Sequence, residues 1–261
     1  MKIKSKIRFE NLGQSGLLLK YNDFNLLVDP YLSNSVEKFD GPDLRRQIPI
    51  PYLPSQLSNI NYVLITHDHL DHCDPETIPL IAKASPQSIF TGPQPVRELL
   101  KKWNIPKDRI IYPPKSLFNL CEGLSIKSTL AAHPKISLDE RGDPTAIGWI
   151  LQINNLKVYI SGDTSLCSEL INSLKKENPI DIAILPVNEN NYYRRQRGII
   201  GNMSIREAFQ LAIDIGAKKV IPVHWDLFEI NSVSPDEIFA VYQSSKKWTF
   251  ELIMDISKLK I

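Results

Sequence analysis

Asn61-Tyr-Val-Leu-Ile-Thr-His67-Asp68-His69-Leu70-Asp71-His72 runs a short apolar stretch straight into a dense cluster of metal-binding side chains. The stretch Asn61 to Thr66 reads as a buried strand. The next six residues supply three imidazoles and two carboxylates, donors that suit zinc, manganese or iron. Alternation along an extended segment throws His67, His69 and Asp71 to one side and turns His72 to the other flank. One loop could then feed two neighbouring ions. A polar loop of solvated charges would account for one such histidine, but not for the whole cluster.

The protein has five histidines, and the two outside this cluster each end an apolar strand. These are Leu130-Ala-Ala-His133 and Val220-Ile-Pro-Val-His224. Asp163 sits in Ile160-Ser-Gly-Asp163-Thr, again at a strand end, where Gly162 allows a tight turn. Strand ends along one sheet edge are where sites are built. Each of these residues alone has a plainer reading: a satisfied strand end for the histidines, a helix N-cap for Asp163. Their joint placement points to a metal site.

Working outward, Ile3 to Phe9 alternates, and Gly16–Tyr21 and Phe24–Asp29 form a hairpin signal around Asn22-Asp23. Residues 33 to 59 carry four prolines and no period, so a long loop is expected. Further strands are expected at Ser88–Thr91, Arg109–Tyr112, Leu124–Ala132, Ala146–Ile153, Lys157–Ser161, Ile180–Pro186, Lys218–Val223 and Thr249–Met254. Helices are expected at Thr77–Ala84, Pro95–Lys102, Leu166–Lys176, Ser204–Ile215 and Ser234–Ser244. Ser204 and Glu207 complete a capping box, and Pro235 suits a first helical turn. Hairpin strands followed by strand–helix alternation occur twice. The pattern predicts one α/β domain over residues 1–261, two mixed sheets face to face with helices outside.

Hydrophobic residues are 43% and charged residues 23% of the 261, and the net charge is +2. This near-neutral balance argues against a nucleic-acid or other polyanion partner. No run of about 18 apolar residues is present, so no membrane span is expected. The three cysteines, Cys73, Cys121 and Cys167, have no CxxC spacing, and a cytoplasmic location fits best. The N-terminus is basic but has no apolar core of a signal peptide, which argues against a secreted antibiotic-degrading enzyme.

The run His67-x-His69-x-Asp71-His72, followed by His133, Asp163 and His224, resembles the metallo-β-lactamase superfamily over nearly the whole chain. Val28-Asp-Pro-Tyr-Leu-Ser-Asn-Ser, Ser161-Gly-Asp-Thr, Ile180-Asp-Ile-Ala-Ile-Leu-Pro, Gly201-Asn-Met-Ser and Val220-Ile-Pro-Val-His-Trp-Asp look most like the L-ascorbate-6-phosphate lactonase branch. The resemblance implies a four-layer αββα sandwich. It implies that His67, His69 and His133 hold one metal ion, and that Asp71, His72 and His224 hold a second. Asp163 would bridge the two. The ions would be manganese, zinc or iron, sharing a hydroxide that opens a lactone or ester of a small anionic, phosphorylated sugar-like substrate. Asp71 and Asp163 are then the catalytic carboxylates, and a homo-oligomer is implied. The alternative is a phosphodiesterase acting on a small cyclic, nucleic-acid or lipid phosphodiester. A flavin-linked redox protein would need an additional domain for which no residues remain.

Substrate contacts are expected between strand and helix, from Asn188 to Asn202. Arg194, Arg195 and Arg197 could clamp a phosphate or carboxylate, because guanidinium matches those groups bidentately. Asn202 lies just before the capped helix, where backbone amides suit an anion. A solvated charged loop is the plainer reading for any one of these arginines. Asp29 and Asp226 are candidates to orient ligand imidazoles, and Cys73 reads as structural.

Overall fold

A computed structural model describes residues 6–259. Among them, strands form two sheets, one of six and one of seven. The first comprises β1 (Ile7–Gly13), β2 (Gly16–Tyr21), β3 (Phe24–Val28), β4 (Tyr62–Leu64), β5 (Ile89–Thr91) and β6 (Ile110–Ile111). The second comprises β7 (Phe118–Cys121), β8 (Leu124–Leu130), β9 (Ile147–Ile153), β10 (Leu156–Ile160), β11 (Ile182–Pro186), β12 (Lys219–Val223) and β13 (Glu251–Leu252). Each sheet begins as an antiparallel meander and continues as parallel strands.

Why these strands stack as they do follows from period two. Leu17 and Leu19 of β2 enter the layer between the sheets, while Leu18 enters the outer layer. On β9, Trp149 and Leu151 point inward and Ile150 outward; on β10, Val158 and Ile160 oppose Tyr159. A strand apolar on both faces must be covered on both, and helices do that. Helices α2 (Ile78–Ala84) and α3 (Gln94–Lys102) cover the first sheet through Ile78, Ile81, Val96 and Leu100. Helices α4 (Ser168–Lys175), α6 (Ile205–Asp214) and α7 (Pro235–Gln243) cover the second through Leu170, Leu174, Phe209, Leu211 and Ile238. The result is the expected αββα sandwich. The Ser204–Glu207 capping box is formed at the start of α6.

Several boundaries differ from expectation. The opening strand starts at Ile7, and the expected portion from Ile3 to Ser5 lies outside the described residues. Segment 33–59 is not one loop: it contains α1 (Ser35–Asp40) and short 3-10 turns at Pro42–Leu44 and Pro54–Gln56. A small apolar cluster of Tyr31, Val36, Leu227 and Phe228, with Leu44, Ile48 and Leu70 against it, holds the front part of this segment down. Segment 188–202 contains a short helix α5 (Tyr192–Gln196), whose N-cap Asn191 accepts from the amide of Arg194. Strand β7 was not expected, and the final strand contracts to Glu251–Leu252.

Candidate metal centre

β8, β10, β11 and β12 all end at one edge of the second sheet, and β3 and β4 end at the facing edge of the first. The amide of Ile147 donates to the carbonyl of Thr66 (3.0 Å) and that of His224 to the carbonyl of Gln14 (3.2 Å). These bonds tie the two edges together where the donor residues meet.

The segment after β4 is not extended as expected. The amides of His72 and Cys73 both donate to the carbonyl of His69, at 3.0 and 2.7 Å, closing a turn. That turn brings the rings of His67 and His72 together, with centres 4.1 Å apart and planes tilted by 47°. Period-two alternation therefore gives the wrong account of how one loop serves two places; the fold-back does it.

All seven expected metal-site residues converge. Three overlapping donor groups occur among the described residues: His67, His69 and His133; His67, His72 and Asp163; Asp71, His72 and His224. Within each, the donor atoms lie within 4.8 Å of one another. Asp163 lies centrally, with Oδ1 3.3 Å from His72 Nε2 and Oδ2 3.2 Å from His224 Nε2 and 3.9 Å from His133 Nε2. His133 Nε2 faces His69 Nδ1 at 3.2 Å.

The surroundings fix which ring nitrogens face inward. Buried Asp29 takes the amide (2.8 Å) and hydroxyl (2.7 Å) of Thr66 and lies 2.8 Å from His72 Nδ1. Thr66 Oγ1 in turn lies 3.0 Å from His67 Nδ1. Both imidazoles are held with Nδ1 outward and Nε2 toward Asp163. His67 Nε2, His72 Nε2 and Asp163 Oδ1 are buried without a hydrogen-bond partner among the described residues. Buried polar atoms are rarely left so. Two or three inward donors of mixed nitrogen and oxygen type fit divalent ions at this place.

Electrostatics agree with that fit. Burial pushes the His67 pKa well down, with the neighbouring His72 charge adding to it. Burial likewise takes His133 down to about 4 against the pull of Asp163, with smaller contributions from His69, His72 and His224 on the side of burial. His224 is also pushed down by burial, but Asp163 and Asp71 prevail and raise it to about 9. In His72 the carboxylates of Asp163, Asp71 and Asp29 overcome burial in the same way. Burial raises Asp71 and Asp163, but the His72 and His224 charges hold both well below the usual carboxylate range. A proton on His224 thus stands where a cation would.

The substrate candidates separate. Arg197 lines a cleft of about 620 Å³ over the donors, together with His69, Asp71, Asp163 and His224. Arg194 is occupied elsewhere, donating to the carbonyls of Glu189 (2.8 Å) and Ser232 (2.7 Å). Arg195 donates to Asn190 Oδ1 at 3.0 Å on the exposed side. Asn188 and Asn202 are buried and bonded to each other (2.9 Å), and Asn188 donates to Asn231 (3.2 Å). They brace the base of the segment, and it is Asn231 that reaches the cleft. Asp226 makes no bond to His224, whose Nδ1 is buried without a partner among the described residues; burial raises the Asp226 pKa. Cys73 is buried among Ile65 and Ile78, and burial pushes its thiol well up, as a structural residue requires.

Gln14 is the residue that sequence reasoning missed. It is buried, and its Nε2 lies 2.6 Å from Asp71 Oδ2 and 2.9 Å from His224 Nε2. It has a positive φ of 56°, as do Asp29 (43°) and His224 (62°). Left-handed backbone is uncommon outside glycine and concentrates at functional sites. The visible signal was only the turn-like Gly13-Gln14-Ser15-Gly16.

Residues 24–225 match the family model described as the beta-lactamase superfamily domain. The chain belongs to that family. It is 28% identical over 219 residues to the probable L-ascorbate-6-phosphate lactonase UlaG of Salmonella choleraesuis (strain SC-B67), covering 78% of this chain and 60% of that protein. An uncharacterised protein of Mycobacterium tuberculosis (strain ATCC 25618 / H37Rv) is 25% identical over 229 residues, 87% of this chain and 60% of its own length. The chain thus spans about 60% of the length of these curated relatives. Among solved structures, Igni18, a metallo hydrolase from Ignicoccus hospitalis, superposes with a TM-score of 0.72 at 19% identity, over 98% of this chain and 99% of that one. An isothiocyanate hydrolase from Delia radicum gut bacteria superposes with a TM-score of 0.69 at 18% identity, over 95% and 96%. These likenesses establish the fold. No helix among the described residues is long and apolar enough to cross a membrane.

Proposed function

We propose that the protein is a metal-dependent hydrolase that opens a lactone or ester bearing an anionic group. The observation that carries this is the overlap of the three donor groups, which share His67 and His72, with buried Asp163 in the middle group. On this reading His67, His69 and His133 would hold one divalent ion and Asp71, His72 and His224 a second, with Asp163 available to both. When bound, such ions would supply Lewis acidity and lower the pKa of a water toward neutrality.

The chain's own groups then have distinct tasks. Asp71, kept ionised by His72 and His224, accepts a hydrogen bond from the attacking water and sets its direction. Its depressed pKa makes it an orienting group, because a carboxylate so acidic retains a proton poorly. Gln14 holds the Asp71 oxygen in place. Arg197 faces the anionic group of the substrate from the cleft wall. In the reaction a water oxygen bonds to the acyl carbon as the acyl C–O bond breaks. One water proton goes to the departing oxygen and the other leaves to solvent as the product acid ionises.

The test is turnover of L-ascorbate-6-phosphate and of simple lactones by manganese-loaded and zinc-loaded protein, with Asp163→Asn as the blank. Ring opening that the blank lacks supports the reading. Cleavage of bis(p-nitrophenyl) phosphate with no lactone or ester turnover would replace it with a phosphodiesterase.

A further inference from the structure

The cleft over the donor cluster has a wall that the reaction itself does not require. Phe39, Leu44, Leu70, Ile199, Ile200 and Phe228 line it beside His69 and Asp71. Phe39 and Ile200 remain 56% and 40% exposed, large apolar side chains left facing solvent at the mouth. Exposed apolar surface that adjoins a pocket marks a binding surface. The rest of the lining is polar: Arg197 is its one lysine or arginine among the described residues, and Asp40, Asp68 and Asn231 stand with the donor residues. The apolar side chains are thus a separate part of the wall, and neither the donors nor these polar groups account for their exposure.

We infer that part of the substrate is a hydrocarbon that covers this wall: the enzyme takes alkyl- or aryl-bearing lactones or esters. This rests on the hydrolase reading for the bond broken, but on the wall alone for what is bound. The donors fix the acyl group at one end of the cleft, and the chain lies along Leu70, Phe39 and Ile200. Arg197 remains to meet a carboxylate, whether carried by the substrate or produced by ring opening.

Two measurements on the metal-loaded protein test it. The first is kcat/KM for γ-valerolactone, γ-octalactone and γ-dodecalactone against L-ascorbate-6-phosphate. The second is calorimetric affinity for methyl-, hexyl- and decylphosphonate, which needs no turnover. Affinity and kcat/KM should rise about fourfold per added methylene until the cleft is filled. Phe39→Ser and Ile200→Ser, both at exposed positions, should flatten that slope. Equal affinity for all three phosphonates, or faster turnover of the sugar lactone than of every alkyl lactone, overturns the inference. Chain-length-dependent binding that Ile200→Ser flattens, with no lactone or ester cleaved, upholds the hydrocarbon site and removes the hydrolase reading instead.

Discussion

The side-chain amide of Gln14 donates to Asp71 across 2.6 Å, joining the first turn of the chain to the histidine loop. The same nitrogen lies 2.9 Å from His224 Nε2, so one neutral residue touches two members of the third donor group. Removing it frees the Asp71 carboxylate to rotate. Partners of this kind are worth about 10–100-fold in metal affinity. Gln14→Ala should weaken one of the two metal equivalents by that order and leave the other unchanged, read by titration against a competing chelator. Identical binding of both equivalents would contradict the role.

Asp29 acts on the opposite side. Its carboxylate accepts from the Thr66 amide and hydroxyl and faces His72 Nδ1. Asp29→Asn keeps the volume but offers an N–H where an acceptor is needed. The expected outcome is a loss of about tenfold or more in metal affinity. A melting transition followed in excess chelator separates this from simple misfolding.

Proton release on metal binding follows from the pKa directions. In the metal-free protein Asp163 and Asp71 raise His224 to about 9, so it carries a proton at pH 7, and the surrounding carboxylates shift His72 in the same direction. A metal ligand must be neutral imidazole, so binding expels at least the His224 proton, on the order of one or more per chain. Affinity should therefore climb as pH rises from 7 toward 9 and fall on acidification. Calorimetry in buffers of different ionisation heat measures the number directly. A binding heat independent of buffer would be inconsistent with it.

Much of this was legible in the sequence, and the exceptions have physical causes. His67, His133, Asp163 and His224 end or follow apolar strands, and strand ends are readable because burial imposes a period. The fold-back from His69 to Cys73 was not readable, since it lacks glycine or proline and is held by backbone bonds to one carbonyl. Gln14 escaped because a lone glutamine has no periodic signature; its role exists only through a contact 57 residues away. Helix α1 hid in the proline-rich stretch because it is only six residues long and only Ser35 and Val36 are buried. Arg194 and Arg195 had the right chemistry for an anion, but carbonyls of Glu189 and Ser232 and the Asn190 side chain take their donors.

Gly162 places Asp163 and leaves no room for a side chain. Its φ is 61°, and a Cβ there would lie 2.7 Å from Thr66 Cβ and 2.8 Å from Thr66 Cγ2. Left-handed strain costs about 1–2 kcal/mol and overpacking about 1–3 kcal/mol. Gly162→Ala should thus lower stability by about 2–5 kcal/mol, measured by urea unfolding, and displace Thr66 from Asp29 and His67. A loss under about 0.5 kcal/mol, the range of an ordinary surface substitution, would contradict this packing.

Metal content per chain in Asp163→Asn beside the unaltered protein tests the central claim most directly, read by elemental mass spectrometry after dialysis. The account predicts two ions per chain in the parent. The variant should hold fewer than two and lose nearly all hydrolysis, with its circular dichroism unchanged. A variant that keeps two ions and full activity would contradict the placement of Asp163 between two metals.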